Sequence, residues 1–311
     1  MGTAGATGTG GAGSGGVTAG SGGTMAGTGG AVVDAGGDAG TGGRTGAGGA
    51  AGAGIDAGAG GAGGAANCAG HAVAFNANIA GNNDPAMARV MVDFMNSADL
   101  PVANASRTIE LWAFVRTSSW VGDANTLFFY GTNNRVADGF GLDFGGVPGT
   151  IDPFTNAIFD NDNQPSGLGT SSDQWAHFAM TWDGTTVRAF VNGVEKASKT
   201  STVTQKTLMT GRTPLTIGGY APAYFNGYID EFRIWNVART AADISGTMHT
   251  ALAGNEPGLV GYWRFDETSG TTAADSTSTA GHTPHPGVLM ASSAANLPVF
   301  VVSTAPISCA P

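Results

Sequence analysis

The chain is poor in basic residues: 13 Lys and Arg stand against 23 Asp and Glu in 311 positions, a formal net charge of −10. Nucleic-acid recognition needs a basic face, so this balance excludes it and favours solubility. No run reaches the roughly 18–20 apolar residues of a membrane-spanning helix. No charged-then-apolar secretion leader stands at the start, and there is no Gly-x-Ser-x-Gly elbow to present a nucleophilic serine. Residues 1–67 have no aromatic side chain at all, yet they hold 29 of the 53 glycines.

Ala and Thr fill most of the rest of that segment. Such a composition cannot bury enough apolar surface to offset the entropy of ordering its backbone. It reads as a low-complexity tether with a mean reach of roughly 45 Å on random-coil scaling. All six Trp, five Tyr and fifteen Phe lie in residues 68–311, ample material for one core. Short runs bounded by turn residues predict an all-β sandwich or barrel. They are HAVAFNA (71–77), ARVMVDF (88–94), RTIELWAFV (107–115), NTLFFYG, GFGLDFGG, NAIFDN, QWAHFAMTWDG (174–184), TVRAFVNGVEKAS (186–198), PLTIGGY (214–220), GVLMASS and LPVFVVS. In the third, alternation puts Ile109, Leu111, Ala113 and Val115 on one face and Glu110, Trp112 and Phe114 on the other. Asp183-Gly184 and Asn192-Gly193 are hairpin turns, because these residues accept positive φ at little cost.

The densest signal is NGYIDEFRIWNVARTAADISGTMHTALAGNEPGLVGYWRFDETSG, residues 226–270. It predicts a strand, one helix near 240–249, a loop ended by Pro257-Gly258, and a second strand. Thr240, with Asp243 three residues on, supplies an N-cap oxygen and a carboxylate for the positive helix end. The wording resembles the LamG-like jelly-roll domains of the concanavalin A-like lectin/glucanase superfamily. Those carry "G-x-IDE-x-RIW", "R-T-x-x-(D/E)-I" and "GLV-x-YW-x-FDE-x-SGTT-x-x-D". The QWAHFAMTWDG…FVNG text fits the same family. The resemblance implies a two-sheet antiparallel jelly-roll sandwich over 68–311, and fixes no ligand. In many relatives the YW-x-FDE segment precedes the strand equivalent to HAVAF, whereas here it lies towards the C-terminus.

Cys68 and Cys309 are the only cysteines and bracket the predicted domain. They read as one disulfide joining its ends, with a redox or metal pair as the other reading. A disulfide suits an oxidising compartment, so an extracellular or cell-surface location is expected. The expectation that goes with it is a secretion signal upstream, with Met1 a mis-assigned start.

Hydrolytic members of the superfamily carry carboxylates in an E-x-D-x-x-E strand, where alternation puts them on one face of a groove. The five glutamates here, Glu110, Glu195, Glu231, Glu256 and Glu267, form no such pattern. Asp230-Glu231 and Asp266-Glu267 are adjacent pairs, so strand alternation predicts opposite faces within each. No catalytic residue is assigned. His177 reads as structural, and His282/His285 in HTPH read as a solvated loop lacking a third metal ligand.

A structural calcium ion is the candidate cofactor, with Asp266 and Asp275 as ligands, and the oxygen-rich turn Asn82-Asn83-Asp84 is a second option. The loop YAPAYFNG has no carboxylate for a pentraxin-type calcium site. It offers Tyr220, Tyr224 and Phe225 as rings for stacking on sugar, or as cover for a sheet edge. Trp112 with Glu110, and Trp175 with His177, either line a groove or fill the sandwich. Trp235, Trp263 and Asp230 read as structural, Asp230 as an acceptor for strand-end amides. The expected function is a non-enzymatic module binding a glycan or an envelope partner. An atypical polysaccharide hydrolase or lyase, and a structural spacer, stand as the alternatives.

Overall fold

The computed structural model describes residues 68, 70–75, 81–82, 87–94, 99–116, 125–131, 139–144, 147, 149–155, 164–169, 173–201, 214–221 and 223–309. The expected tether, the NAIFDN strand and the turn at Asn83-Asp84, with the side chain of Asn82, lie outside these residues.

In chain order the strands begin with β1 (His71–Phe75), β2 (Gly81–Asn82), β3 (Arg89–Val92), β4 (Arg107–Val115) and β5 (Asn125–Gly131). There follow β6 (Gly139–Phe144), β7 (Thr150–Phe154), β8 (Gln164–Pro165), β9 (Trp175–Trp182), β10 (Thr186–Val191) and β11 (Val194–Thr200). Next come β12 (Leu215–Ile217), β13 (Gly219–Tyr220), β14 (Ala223–Tyr224) and β15 (Gly227–Trp235). Helix α1 (Ala241–Thr247) leads into β16 (Leu259–Trp263), β17 (Thr272–Ala273), β18 (Gly287–Met290) and β19 (Val299–Val302).

Two eight-stranded antiparallel sheets stack as a sandwich. The first runs β11-β10-β9-β4-β15-β1-β19, with β16 beside the second half of β15; the second runs β17-β18-β3-β12-β5-β6-β7-β8. A small sheet of β13, β14 and β2 completes the pairing. The terminal strands β1 and β19 pair at one edge of the first sheet.

The core follows the alternation read from the sequence. Ile109, Leu111, Ala113 and Val115 face inward from β4 and meet Phe128, Leu142 and Phe144 of the second sheet. Burying each such side chain is worth about 1.5–3 kcal/mol. The β10–β11 turn has Asn192 at φ 51° and Gly193 at φ 74°, the doubly positive geometry that favours Asn-Gly. Thr240 and Asp243 form the reciprocal cap of α1: Asp243 N donates to Thr240 Oγ1 at 3.2 Å, and Thr240 N donates to Asp243 Oδ2 at 2.9 Å.

Strand β15 departs from plain alternation. Its register with β4 shifts between Asp230 and Arg233, and Glu231 sits at φ 52°. This bulge adds a residue to one strand and lets two consecutive side chains share a face. Asp230 pairs with the outward Trp112, and Glu231 reaches the outward Arg233. The two carboxylates therefore lie on the same outer face, not on opposite ones.

Candidate functional site

Five outward-facing side chains form one level across the first sheet. The register pairs Trp175 with Phe114, Phe114 with Tyr228, Tyr228 with Ala74, and Ala74 with Val299. Paired residues on antiparallel strands share a face at about 4.5–5.5 Å between Cβ atoms, so the pairing alone gathers three rings. Their centroids lie 5.9 Å (Phe114–Trp175), 5.5 Å (Phe114–Tyr228) and 6.3 Å (Trp175–Tyr228) apart. Trp175 and Tyr228 are inclined by only 35° to one another, and Phe114 lies across them. All three rings are half-buried and keep a solvent-facing surface.

Polar groups rim this cluster. The Arg116 guanidinium lies 4.8 Å from the Tyr228 ring centroid and donates to Tyr228 Oη at 2.7 Å and to Asn226 Oδ1 at 3.1 Å. Trp175 Nε1 donates to the exposed Thr304 Oγ1 at 3.0 Å. Thr304 belongs to a C-terminal strap, residues 303–309, that crosses the outer face. Ser303, Ala305 and Ile307 point into the protein, and Ile307 packs with Trp112 and Met248. Ser303 Oγ donates to Asp230 Oδ2 at 2.6 Å. At the far end Cys309 is disulfide-bonded to Cys68.

The part of this outer face beneath α1 is closed. Under α1, Glu110 Oε1 accepts from Trp235 Nε1 at 3.0 Å and from Arg239 Nη1 at 2.8 Å. Glu231 Oε2 accepts from Arg233 Nη2 and from Tyr262 Oη, both at 2.6 Å. Burial alone would weaken the Arg233 charge, but Glu231 and Glu110 more than reverse this and fix it protonated. His177 Nε2 stands 4.0 Å from Glu110 Oε2, beyond hydrogen-bond reach. Burial first, then the positive charges of Arg233 and Arg239, hold its imidazole neutral, well below the usual histidine range. Burial, and then the neighbouring charge of Glu231, push the Asp230 carboxyl well above the usual carboxylate range, against the hydrogen bonds it accepts from Ser303 and Glu231 N. These groups are at most 8% exposed, so this network is an ionic lock for the helix and no substrate reaches it. Trp112 is likewise buried, but in the strap-covered cluster outside the sandwich rather than within it, its Nε1 donating to Met248 O at 2.6 Å.

The outer face of the second sheet carries a different group. Thr126, Asp143 and Asp152 are successive register partners across β5, β6 and β7. Burial pushes the Asp143 carboxyl up to about 7; a hydrogen bond from Thr126 opposes this, and the Asp152 charge adds to it. Beside them Tyr220 stacks on Phe129, with ring centroids 3.9 Å apart and an inclination of 28°.

Of the three rings expected to present sugar, Tyr220 alone is half-exposed. Tyr224 is 3% exposed and Phe225 fully buried, edge-on to Phe75 at 5.8 Å. Phe225 is part of the inter-sheet core and Tyr224 is buried in the small third sheet, so neither offers a stacking face.

The proposed calcium carboxylates serve internal hydrogen bonds. Asp266 Oδ1 accepts from His71 N at 3.1 Å. Asp275 accepts from Tyr262 N at 3.2 Å and Thr277 N at 2.9 Å through Oδ1, and from His285 N at 3.0 Å through Oδ2. His282 Nε2 lies 2.8 Å from Asp275 Oδ2, and His285 Nε2 lies 3.2 Å from Asp99 Oδ2. The HTPH imidazoles are thus largely buried, at 5% and 12% exposure, rather than solvated. Among the described residues no three His, Cys, Asp or Glu side chains are arranged to hold a metal ion.

Comparison with known proteins agrees with this architecture. Residues 92–245 match the family model of the concanavalin A-like lectin/glucanases superfamily. A candidate carbohydrate-binding protein from Bacteroides ovatus superposes with a TM-score of 0.53 at 20% identity, over 76% of this chain and 61% of that one. A heptameric pentraxin from Limulus polyphemus aligns over 77% of this chain and 98% of its own at 13% identity, with a TM-score of 0.45. In sequence, mouse pappalysin-1 is 35% identical over 85 residues. That match spans 25% of this chain and only 5% of pappalysin-1.

Proposed function

We propose a function for a chain whose folded domain belongs to the concanavalin A-like superfamily as a LamG-like jelly roll: a non-enzymatic, extracellular carbohydrate-binding module. The sugar ring seats on Trp175, Phe114 and Tyr228. The observation that carries this reading is the cluster of three half-exposed rings at one level of the sheet. Aromatic faces stack on the C–H faces of a sugar, while polar rim groups set its orientation. Arg116, Asn226 and Thr304 are those groups here. The fold, the disulfide and the resemblance to a candidate carbohydrate-binding protein support the same reading.

The test is calorimetric titration of the full chain with cellohexaose, xylohexaose and mannohexaose, after a broad glycan screen. Trp175→Ala and Tyr228→Ala are each expected to weaken binding about tenfold, equivalent to about 1.4 kcal/mol. Undiminished binding in both variants refutes the placement. A hydrolytic reading has one observation behind it, the Asp143–Asp152 cross-strand pair with Asp143 near neutrality. Product release from a polysaccharide panel, abolished by Asp143→Asn, would replace the binding reading with that one.

A further inference from the structure

The Trp175 ring is not fixed by its own strand alone. Its indole N–H is held by Thr304, and Thr304 rides on the strap. The strap starts where Ser303 bonds Asp230 and where Ser303 N donates to Gly70 O. It ends where Ser308 pairs with His249 and Ala251, and where Cys309 bonds Cys68. Cys309 is exposed and Cys68 half-buried, so the bond is open to a thiolate from solvent.

We infer that the Cys68–Cys309 disulfide is a redox clamp on the ring cluster: oxidised, it holds the strap and thereby Trp175 in the sugar-competent position; reduced, it releases both. This deepens the glycan-binding reading and rests on it for its biological consequence. The chemistry needs an external dithiol. One of its thiolates attacks a sulfur of the bond, giving a mixed disulfide and a free thiolate. The second dithiol sulfur then displaces the remaining cysteine. The S–S bond of the protein gains two electrons and two protons and becomes two thiols, while the dithiol closes into its own disulfide.

Reduction matters here because of where the strap lies. Among the described residues it is paired into neither sheet, and a single parallel bridge joins Ser308 to Thr250. Without the covalent tie only non-covalent contacts hold it: the buried Ser303, Ala305 and Ile307, side-chain hydrogen bonds of Ser303 with Asp230, Thr304 with Trp175 and Ser308 with His249, and backbone hydrogen bonds to Gly70, Cys68, His249 and Ala251. The rest of the sandwich keeps its sheets and core, none of which includes residues 303–309.

The experiment uses the full chain labelled with 5-fluorotryptophan, with the Trp175 resonance assigned by Trp175→Phe. Fluorine spectra are recorded oxidised, after dithiothreitol, and for Cys68→Ser/Cys309→Ser. Thr304→Val, which keeps the disulfide, is the second variant. Reduction is expected to shift and broaden the Trp175 resonance while the core Trp263 resonance stays, and Thr304→Val to reproduce the shift. Among the hexaoses that bind, affinity is expected to fall about fivefold on reduction. An unchanged Trp175 resonance in reduced, folded protein overturns the clamp, and so does a moved resonance with unchanged affinity. If no sugar binds even oxidised protein, the glycan reading fails, and the fluorine result alone decides the clamp.

Discussion

Removing the Asp143 carboxyl gives the sharpest test of the electrostatics. In the folded protein its proton is lost near pH 7, against 3.8 for an ordinary aspartate, chiefly because burial disfavours the charged form. Each tenfold change in proton affinity corresponds to about 1.4 kcal/mol, which sets an upper bound of about 4 kcal/mol on the linked stability. The residue is half-buried, and water screening brings a realistic figure to about 2 kcal/mol. The sign follows from proton counts. Between about pH 4 and 7 the folded state holds a proton on this group that the unfolded state has released. Its contribution is therefore fully present below pH 4 and is lost as pH rises through 7. Asp143→Asn keeps the size of the side chain and the Thr126 partner but carries no charge at any pH. The assay is urea unfolding of wild type and variant at pH 5, 6, 7 and 8.5. The variant is expected to gain on the wild type as pH rises, by about 1 kcal/mol at pH 8.5 relative to pH 5, since roughly a third of the effect is already lost between pH 4 and 5. A stability difference that stays flat across these pH values refutes the assignment of a raised Asp143.

Two further outcomes follow from the helix side of the first sheet. Glu110→Ala leaves the Arg239 guanidinium and the Trp235 indole without their shared acceptor in a buried site, and a loss of about 3 kcal/mol is expected; a urea midpoint within error of wild type would contradict the ionic lock. Thr240→Ala removes the N-cap oxygen of α1, at about 1 kcal/mol; calorimetry should show a melting temperature about 2–4 °C lower, and no change would mean the helix is held by the packing of Ile244 and the Arg239 hydrogen bonds without its cap.

The strands were legible because their side chains alternate and their turns are chemically marked. RTIELWAFV became β4 with the expected inner and outer faces, and Asn192-Gly193 became the expected hairpin turn. Thr240 and Asp243 were readable because a cap is made by residues three apart. Alternation failed at Asp230-Glu231, where a bulge in β15 puts both carboxylates on one face. A bulge depends on the partner strand, and β4 lies more than a hundred residues away.

The candidate site was readable only in fragments. Trp175 was marked beside His177, yet the structure joins it to Phe114 and Tyr228, which no local pattern links. Tyr224 and Phe225 had the right chemistry in the wrong place, since both are buried, Phe225 edge-on to Phe75. The HTPH imidazoles looked exposed because the carboxylate facing His285, Asp99, is 186 positions earlier in the chain.

By itself the sequence determined the fold class, the turns, the helix cap and the jelly-roll family, because each is written in residues close together or in a recurring strand signature. Only the tertiary structure decided which aromatic rings stay in contact with water, which acids share a face and what the disulfide holds down. Those outcomes depend on which distant strands pair and in what register, and a sandwich assembles such pairs across separations that local propensity does not encode.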